Sequence, residues 1–454
     1  MRGWALKKKA KRDLRWGLKM TLGNKGWRTA VLVMLCGTSL AAKAAPLDDE
    51  LSSLVDGHPL IKSGQAQVSA TDKGVAASLA PYLPSVDVTG EEGKGRVSLP
   101  AFRATSTGPF ASEERNWNFS VKETLWDGGI RDSARAQSKL QRDSANISLV
   151  GVRQTVLAEG VTAYLNVLRQ IELVKLSQQN EDNIRKQLHL EDERVKRGSG
   201  IAVDVLQAKS RLQISLERMT AVRGGLQEAT ARYQQVFNRP PETENMVLPP
   251  DPSGLLPASV DDAVAVALNE QPIVRNASKQ IDLAVQRRAG IEAEYQPKVD
   301  LVGSRVYQEN FSGVPGIRRD TLGELKVSWN LFAGLGTRNR AQQTGYEKLA
   351  REDDLLQAKR KTEEQVRISW NTLKTAEDRV SLLDNAVNIA SEVFESRKKL
   401  RESGKETVIN VLDAENEVFN ARINYTSALY DARIAGYEVL RAMGRLEVNT
   451  LKGR

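Results

Sequence analysis

Two copies of one glycine-initiated box constrain the fold of this chain more than any other feature. The first copy runs from Gly198 to Ala208, and the second runs from Gly404 to Ala414. Each copy follows a long stretch without proline and opens another amphipathic stretch, which is the pattern of a second helix after a tight turn. Because the box is unusual, its recurrence indicates an internal duplication.

The first 44 residues differ from the rest in charge. They carry eleven Lys/Arg and one acidic residue, while the whole chain has a net charge of only +9. An apolar run from Thr29 to Leu40 precedes Ala42-Lys-Ala44, and this combination is typical of a secretory signal peptide. A membrane anchor is the alternative, although the run is short for a membrane span. Since the basic residues lie on a removable segment, the net charge is no evidence for nucleic-acid binding, and we predict none.

The composition also argues against catalysis. The only cysteine, Cys36, lies in the predicted signal peptide. A mature chain without it has no disulfide, thiolate metal site or cysteine nucleophile. The two histidines, His58 and His189, are far apart in unlike contexts, and we expect both to be exposed and inert. Acidic pairs on the predicted helices are explained by solvated faces. We therefore predict a protein that is not an enzyme and has no cofactor or metal site.

The first repeat is predicted over residues 45–238. Its strands are expected at about 82–126 and its long helices at about 128–238. Residues 45–80 are mixed in composition, and we expect loose order there with a short helix ending near His58-Pro59. Residues 90–109 read as a Gly-rich loop. The clearest strand follows, in which the apolar residues Trp117, Phe119, Val121 and Leu125 alternate with polar ones.

A proline-rich linker and a second repeat follow. The predicted boundaries are a linker at 239–257, a second repeat at 258–446 with strands at about 295–332 and long helices at about 334–444, and a tail at 447–454. Residues 261–294 read as one helix that contains Pro272. The long helices of the two repeats have the same predicted length, since Gly128 and Gly198 recur at one offset as Gly334 and Gly404.

These lengths and faces indicate an assembly. At ~1.5 Å per residue each long helix extends roughly 100 Å, and it needs neighbours to cover its seam. The two-faced strands, with Trp117, Trp126 and Trp329 near their ends, fit lipid on one side and water on the other. Four strands leave open edges, and three chains would supply twelve strands. A soluble coiled-coil protein with two β-tips is the alternative that the residues alone leave open.

Three paired motifs resemble the TolC family of trimeric outer-membrane channel proteins over almost the whole mature chain. They are the strand starts Tyr82-Leu-Pro84-Ser-Val86 and Tyr295-Gln-Pro297-Lys-Val299, the turns Leu125-Trp-Asp-Gly128 and Leu331-Phe-Ala-Gly334, and the two boxes at 198–208 and 404–414. The segment 420–446 is most similar to the type I secretion branch, in particular to the LapE/AggA-type exporters of large adhesins.

The resemblance implies a mainly α fold with a β-barrel part. Three chains would form a twelve-stranded transmembrane barrel in the outer membrane, with four strands per chain, which continues into a long periplasmic α-helical barrel. The implied partners are two further copies of the chain, outer-membrane lipid, a periplasmic membrane-fusion adaptor, an inner-membrane ABC transporter acting through that adaptor, and a secreted protein substrate.

The same resemblance implies two sets of site residues at the helix-to-helix turns. Aspartates of the two boxes line the constricted periplasmic end in the family, and the matching positions are Asp204, Asp413 and Asn410, the last of which is neutral here. Adaptors meet the turns, and the matching positions are Arg197, Gly198, Ser199, Ser403, Gly404 and Lys405. Glu406 and Arg401 replace residues of the family's closing links, so the network here must be wired differently. The alternative is that Asp204 and Asp413 only complement helix N-terminal dipoles.

Two other functions remain open from the sequence. One is the outer-membrane duct of a multidrug or metal efflux pump, although neither turn has the Val-Gly-Leu form of drug-efflux members. The other is a periplasmic coiled-coil adaptor or scaffold. An adaptor should carry lipoyl-like and β-barrel segments between two helices, and the sequence contains no such pattern.

Overall fold

The computed structural model of the protein describes residues 47–97, 110–198 and 201–448. The predicted signal peptide, Ser199 and nearly all of the predicted tail lie outside the described residues, as do residues 98–109 of the predicted loop.

The described chain consists of twelve main elements. The helices are α1 (Leu47–Gly57), α2 (Pro59–Ala77), α3 (Ile130–Lys196), α4 (Ala202–Phe237), α5 (Val260–Glu270), α6 (Pro272–Glu292), α7 (Gly336–Glu402) and α8 (Val408–Ala442). The strands are β1 (Ser85–Val97), β2 (Phe110–Trp126), β3 (Lys298–Glu309) and β4 (Ile317–Ser328).

The long helices α3 and α7 each contain 67 residues, so their equal length is confirmed. Each pairs with the helix that follows it in the chain, α3 with α4 and α7 with α8. Both long helices end at a glycine with positive φ, Gly198 at 74° and Gly404 at 76°. This left-handed conformation is the usual way to reverse the chain after a helix, and it favours glycine.

A proline begins a new helix at two places in the chain, Pro59 and Pro272. Residues 261–294 are not one helix, because α5 ends at Glu270 and α6 begins at Pro272. Gln271 between them is extended, with φ −62° and ψ 125°. Proline lacks an N–H and disfavours helical backbone in the residue before it, so it starts a new helix. His58-Pro59 separates α1 from α2 in the same way.

Residues 47–77 are ordered helices, and the prediction of loose order there was wrong. Leu51 and Ile61 are fully buried in the main core. Gly160 of α3 allows this packing, since a Cβ at that position would lie only 2.6 Å from a methyl carbon of Leu54. The amphipathic pattern is short, and burial of its apolar side by the long helices stabilises the helices.

The prediction of exposed histidines was half wrong. His58 is buried, at 7% exposure, while His189 is exposed. The Nδ1 atom of His58 accepts a hydrogen bond from the Leu60 N–H at 3.3 Å and thereby caps α2. The imidazole takes the capping place that a serine or aspartate usually holds.

The four strands form one antiparallel sheet in the order β1-β2-β3-β4. β1 continues through Gly90, Gly93 and Gly95 to Val97, so the predicted loop at 90–109 is strand for its first part. Gly90 lies opposite Trp117, whose ring covers it so closely that a Cβ would lie 2.6 Å from the ring. Gly90 therefore accommodates its large cross-strand neighbour, whereas Gly93 has open space around it.

The sheet has one apolar and one polar face. The apolar face carries residues that alternate along each strand: Val86, Val88, Trp117, Phe119, Val121, Leu125, Val299, Leu301, Leu325 and Val327. The opposite face carries Asp87, Asn118, Lys122, Asp300 and Lys326. Glu123 is an acidic exception on the apolar face, near the ends of the strands that lead into the helices. β1 and β4 form the two edges of the sheet, and each has one unpaired side within the chain.

The linker is anchored to the helices. The Tyr164 hydroxyl of α3 accepts a hydrogen bond from the N–H of Val247 and donates one to its carbonyl oxygen, both at 2.9 Å.

Among the helices in the described ranges, none is both long and apolar enough to cross a membrane.

Candidate gate at the helix-to-helix turns

The two turns at the ends of α3 and α7 have similar geometry. Lys405 N–H donates to the Leu400 carbonyl at 2.9 Å, and Gly404 N–H donates to the Arg401 carbonyl at 3.0 Å. This pair of bonds is a Schellman motif. Gly198 N–H makes the corresponding bond to Val195 at 3.0 Å. No heavy atom lies within 4 Å of a Cβ built on Gly198 or Gly404, so their backbone conformation is what requires glycine.

The residues of both turns are exposed, and each turn has a cationic side chain beside it. Arg197, Gly198, Ser403, Gly404 and Lys405 are all exposed. The Arg197 side chain is 79% exposed and has only a distant contact, 3.9 Å, with Glu193. Ser403 turns its hydroxyl back to the Leu400 carbonyl at 2.8 Å. The turn backbones are therefore accessible, with positive charge beside each.

Arg401, at the end of α7, connects the two repeats. Its Nη2 atom donates to both carboxylate oxygens of Glu191 on α3, at 3.3 and 3.2 Å. Its Nη1 atom donates to the carbonyl of Glu406 at 3.1 Å. The Glu191 side chain is only 2% exposed, and its Oε1 atom also lies 2.7 Å from Nη1 of Arg194. A buried carboxylate needs such partners because desolvation of an unpaired charge is costly.

Asp204 lies at the edge of the same cluster. Its Oδ2 atom is 3.9 Å from Arg401 Nη2, and its side chain is 21% exposed. Asp204 is also in the first turn of α4, so the helix dipole stabilises its charge as well. Asp204 therefore has both a contact with Arg401 and a place at the positive end of a helix, and its part in a gate stays a prediction.

Asp413 pairs with a different arginine. Its Oδ1 accepts a hydrogen bond from Nη2 of Arg211 on α4, which again joins the two repeats. About two helical turns further along α4 and one turn further along α8, Arg218 Nη1 donates to Asn416 Oδ1 at 2.8 Å. α8 begins at Val408, so Asp413 lies beyond its first turn. The helix-dipole explanation therefore does not fit Asp413.

Asn410 takes part in a local polar link. Its side-chain amide and the Thr407 N–H both donate to Glu406 Oε1. These hydrogen bonds lower the pKa of the Glu406 carboxyl, and Arg397 at 3.9 Å contributes to the same effect. Asn410 is neutral and supplies no carboxylate of its own. Its amide instead donates a hydrogen bond to the carboxylate of Glu406.

The structure brings the predicted gate residues to the same end of the helices in three sets of contacts. Asp204 belongs to the Arg401 cluster, Asp413 belongs to the α4–α8 contact, and Asn410 serves Glu406. Sequence reasoning missed Glu191 and Arg211, the partners of these groups. At the repeat offset Glu191 corresponds to Arg397 and Arg211 corresponds to Glu417, and neither is the observed partner. The sequence therefore contains no signal for these two pairs.

A further buried acid lies beside this region. Glu415 is 7% exposed, and burial raises the pKa of its carboxyl. Asn183 donates a hydrogen bond and Lys398 contributes a positive charge, and both act in the opposite direction. Its Oε2 atom has no hydrogen-bond partner among the described residues. Across those same residues, no group of three or more His, Cys, Asp or Glu side chains could hold a metal ion.

Comparison with known proteins relates this architecture to channels. The family described as "Outer membrane efflux protein" matches residues 51–239 and 263–445. The outer membrane efflux protein BepC of Brucella suis is 24% identical, over 93% of this chain and 91% of its own. The alkaline protease secretion protein AprF of Pseudomonas aeruginosa is 22% identical, over 74% and 72%. The solved structure of CusC, concerned with transmembrane channel formation, superposes with a TM-score of 0.74 at 12% identity, over 87% of this chain and 91% of its own.

Proposed function

Because the chain belongs to the outer membrane efflux protein family, a family of outer-membrane channels, we propose that it is the exit duct of a type I secretion system. The fold is that of the TolC-type channels, in which the four-stranded sheet is part of a barrel in the outer membrane and the long helices form the periplasmic tube. The proposed substrate is a large surface adhesin involved in cell attachment.

The observation that carries the proposal is the chemistry of the two turns. Both are exposed, and Arg197 and Lys405 stand beside them in place of apolar residues. An adaptor that docks here would meet glycine backbone flanked by positive charge, and acidic or carbonyl groups would complement that surface. The similarity to AprF, a protein whose name refers to secretion, also supports the proposal of a secretion duct.

The proposed gate consists of the contacts that join the two repeats. Arg401 with Glu191 and Asp204, and Arg211 with Asp413, hold α7 and α8 against α3 and α4. Asn410 and Glu406 stabilise the start of α8. Opening the tube would require α7 and α8 to move away, and both sets of contacts would break.

Deletion of the gene tests the assignment. We expect loss of surface display of one giant protein while drug and metal tolerance stay unchanged. An efflux duct, the alternative that the similarity to BepC favours, predicts the reverse: display persists and sensitivity to drugs or metals rises. That result would overturn the secretion assignment.

A Lys405→Glu/Arg197→Glu variant tests the docking surface. It should reach the outer membrane as a trimer but lose cross-linking to its adaptor and lose export. Lys359→Glu/Lys361→Glu serves as the control, because it makes the same change of charge on exposed residues in the first half of α7, distant from both turns. Normal export by the charge-reversed variant would contradict the proposed adaptor contact.

A further inference from the structure

The apolar face of the sheet is bordered by aromatic residues at both ends. Trp126 and Trp329 lie at the ends that lead into the helices. Trp117 and Tyr307 lie toward the other end, opposite each other on β2 and β3. Aromatic residues at two levels are typical of the interfaces that bound the lipid-facing band of a membrane barrel.

The spacing of these residues matches a membrane. Trp329, directly after β4, and Arg319 within β4 are roughly ten residues apart, which is about 33 Å along an extended chain. A strand tilt of about 40° reduces this to roughly 25 Å along the membrane normal, the usual height of the apolar band. Arg319 lies beside Tyr307 in one cross-strand row. This row therefore marks the outer interface.

Two arginines at this level have no acidic partner. Arg319 and Arg305 make no ion pair or hydrogen bond with the rest of the described chain, and both are exposed. Arg319 lies over the Tyr307 ring, with 5.8 Å between its Cζ and the ring centroid. By contrast, Arg115 in the next row contacts Glu92 at 2.9 Å and Glu309 at 3.4 Å.

Arg305 lies one row closer to the middle of the lipid band. In that row Phe119 is opposite it on β2 and Thr321 is opposite it on β4. An arginine on the lipid face is destabilising at mid-depth and nearly neutral near an interface. Its long stem lets the guanidinium extend toward the interface and leaves apolar surface below. The charge then needs an anion at the level of the lipid headgroups.

We propose that Arg305 and Arg319 together bind the phosphate of an anionic lipid in the outer leaflet. They are diagonal neighbours on adjacent strands, about 7–8 Å apart at their backbones, so their guanidinium groups can converge on one phosphate. Guanidinium matches phosphate geometry with two parallel hydrogen bonds. Phe119 and Val88 lie beside Arg305 in the same cross-strand row and provide apolar surface for acyl chains.

The position of Arg305 keeps the site open in an assembly. β3 is an inner strand, whereas β4 is an edge strand that a neighbouring chain can pair with. Arg305 and Arg319 both lie on the apolar face of the sheet, which is the face proposed to contact lipid. An anion that carries its own acyl chains therefore fits this place better than a free ion from solution.

The test compares nanodiscs that differ in one lipid. The purified full-length trimer is placed in phosphatidylcholine alone, with phosphorylated lipid A, or with dephosphorylated lipid A, and its dissociation temperature is measured. We expect phosphorylated lipid A to raise that temperature by several degrees and dephosphorylated lipid A to have no effect. Equal effects of the two lipids would overturn the proposal, as would an equal rise produced by inorganic phosphate in phosphatidylcholine discs.

Variants locate the site. Arg305→Gln/Arg319→Gln should lose the rise, and Arg305→Lys should keep part of it because charge remains without the two-pronged geometry. Arg318→Gln is the matched control, since Arg318 lies on the same strand but on the opposite face, 2.8 Å from Asp320. A full rise in the double glutamine variant, or its loss in Arg318→Gln, would contradict the assignment. If the double variant does not assemble, the lipid comparison on the native trimer and on Arg305→Lys decides.

Discussion

Arg401 donates hydrogen bonds to both carboxylate oxygens of Glu191, at 3.3 and 3.2 Å, and so ties the end of α7 to the end of α3. The two residues are far apart in sequence and belong to different repeats. Because Glu191 is buried, loss of a partner would leave its charge uncompensated and would be costly.

Arg401→Gln should loosen the turn end of the helices. Loss of one partner of a buried ion pair costs about 3 kcal/mol, at the low end of the usual range because Arg194 stays in contact with Glu191. Amide exchange in the last turns of α3 should accelerate by roughly 100-fold. Lys399→Gln is the control, because Lys399 is an exposed lysine near the same end of α7 that makes no ion pair with the described residues. Equal exchange in both variants would contradict the role of Arg401.

Gly404→Ala should destabilise the second turn. Its φ of 76° costs a residue with a Cβ about 1–2 kcal/mol. Gly224→Ala, inside α4 with open space around it, should instead stabilise by about 0.5–1 kcal/mol. Thermal unfolding of the two variants should therefore shift in opposite directions. A stabilised Gly404→Ala protein would show that the turn does not need the left-handed conformation.

The Asp413–Arg211 contact should give a small coupling energy. Both side chains are partly exposed, at 52% and 35%, so a double-mutant cycle with alanine should yield about 0.5 kcal/mol. The measurement is the free energy of urea unfolding of the four proteins. A parallel cycle of Asp413 with Arg218, which contacts Asn416 instead, should give a coupling near zero. Equal couplings in the two cycles would refute a specific pair.

Stability should depend on pH through Glu415. Burial raises the pKa of this carboxyl in the folded state. The protonated form is present in both states at pH 4, and stability is lost as pH rises through the folded pKa, because the buried carboxylate is penalised. Glu415→Gln should therefore melt higher than the native protein at pH 8, and the two should melt alike at pH 4.

The exposed Glu417 provides the control for this pH dependence. Glu417→Gln, two residues along α8, should leave the pH profile unchanged. A difference between Glu415→Gln and the native protein that stays constant from pH 4 to pH 8 would rule out titration of Glu415.

The sequence predicts most of the architecture because that architecture depends on local signals. Glycine with positive φ at 198 and 404, proline-free stretches and alternating strand residues each act within a few residues. The error over residues 261–294 was local, since Pro272 starts a new helix there. Two other errors have a common cause in tertiary structure. His58 and the helices around it are buried by α3, and β1 continues past Gly90 because Trp117 covers that glycine. These contacts join residues that are distant in sequence, and the local pattern does not contain them.

The position of the candidate gate could be predicted from the sequence, but the pairs of side chains that contact each other there could not. The boxes identify Asp204 and Asp413 by their place after the turns. Their arginine partners come from the other repeat, and only the packing of α3 and α4 against α7 and α8 determines which arginine reaches which carboxylate. The division of the chain into two repeats and a linker stays a proposal.

Single-channel conductance in planar bilayers tests the central claim most directly. The native trimer should show a low conductance, because the contacts at the turn end hold the tube closed. An Arg401→Gln/Asp413→Asn variant, which breaks both sets of contacts between the repeats, should show a much larger and stable conductance. A variant that conducts no better than the native trimer would contradict a gate at these turns.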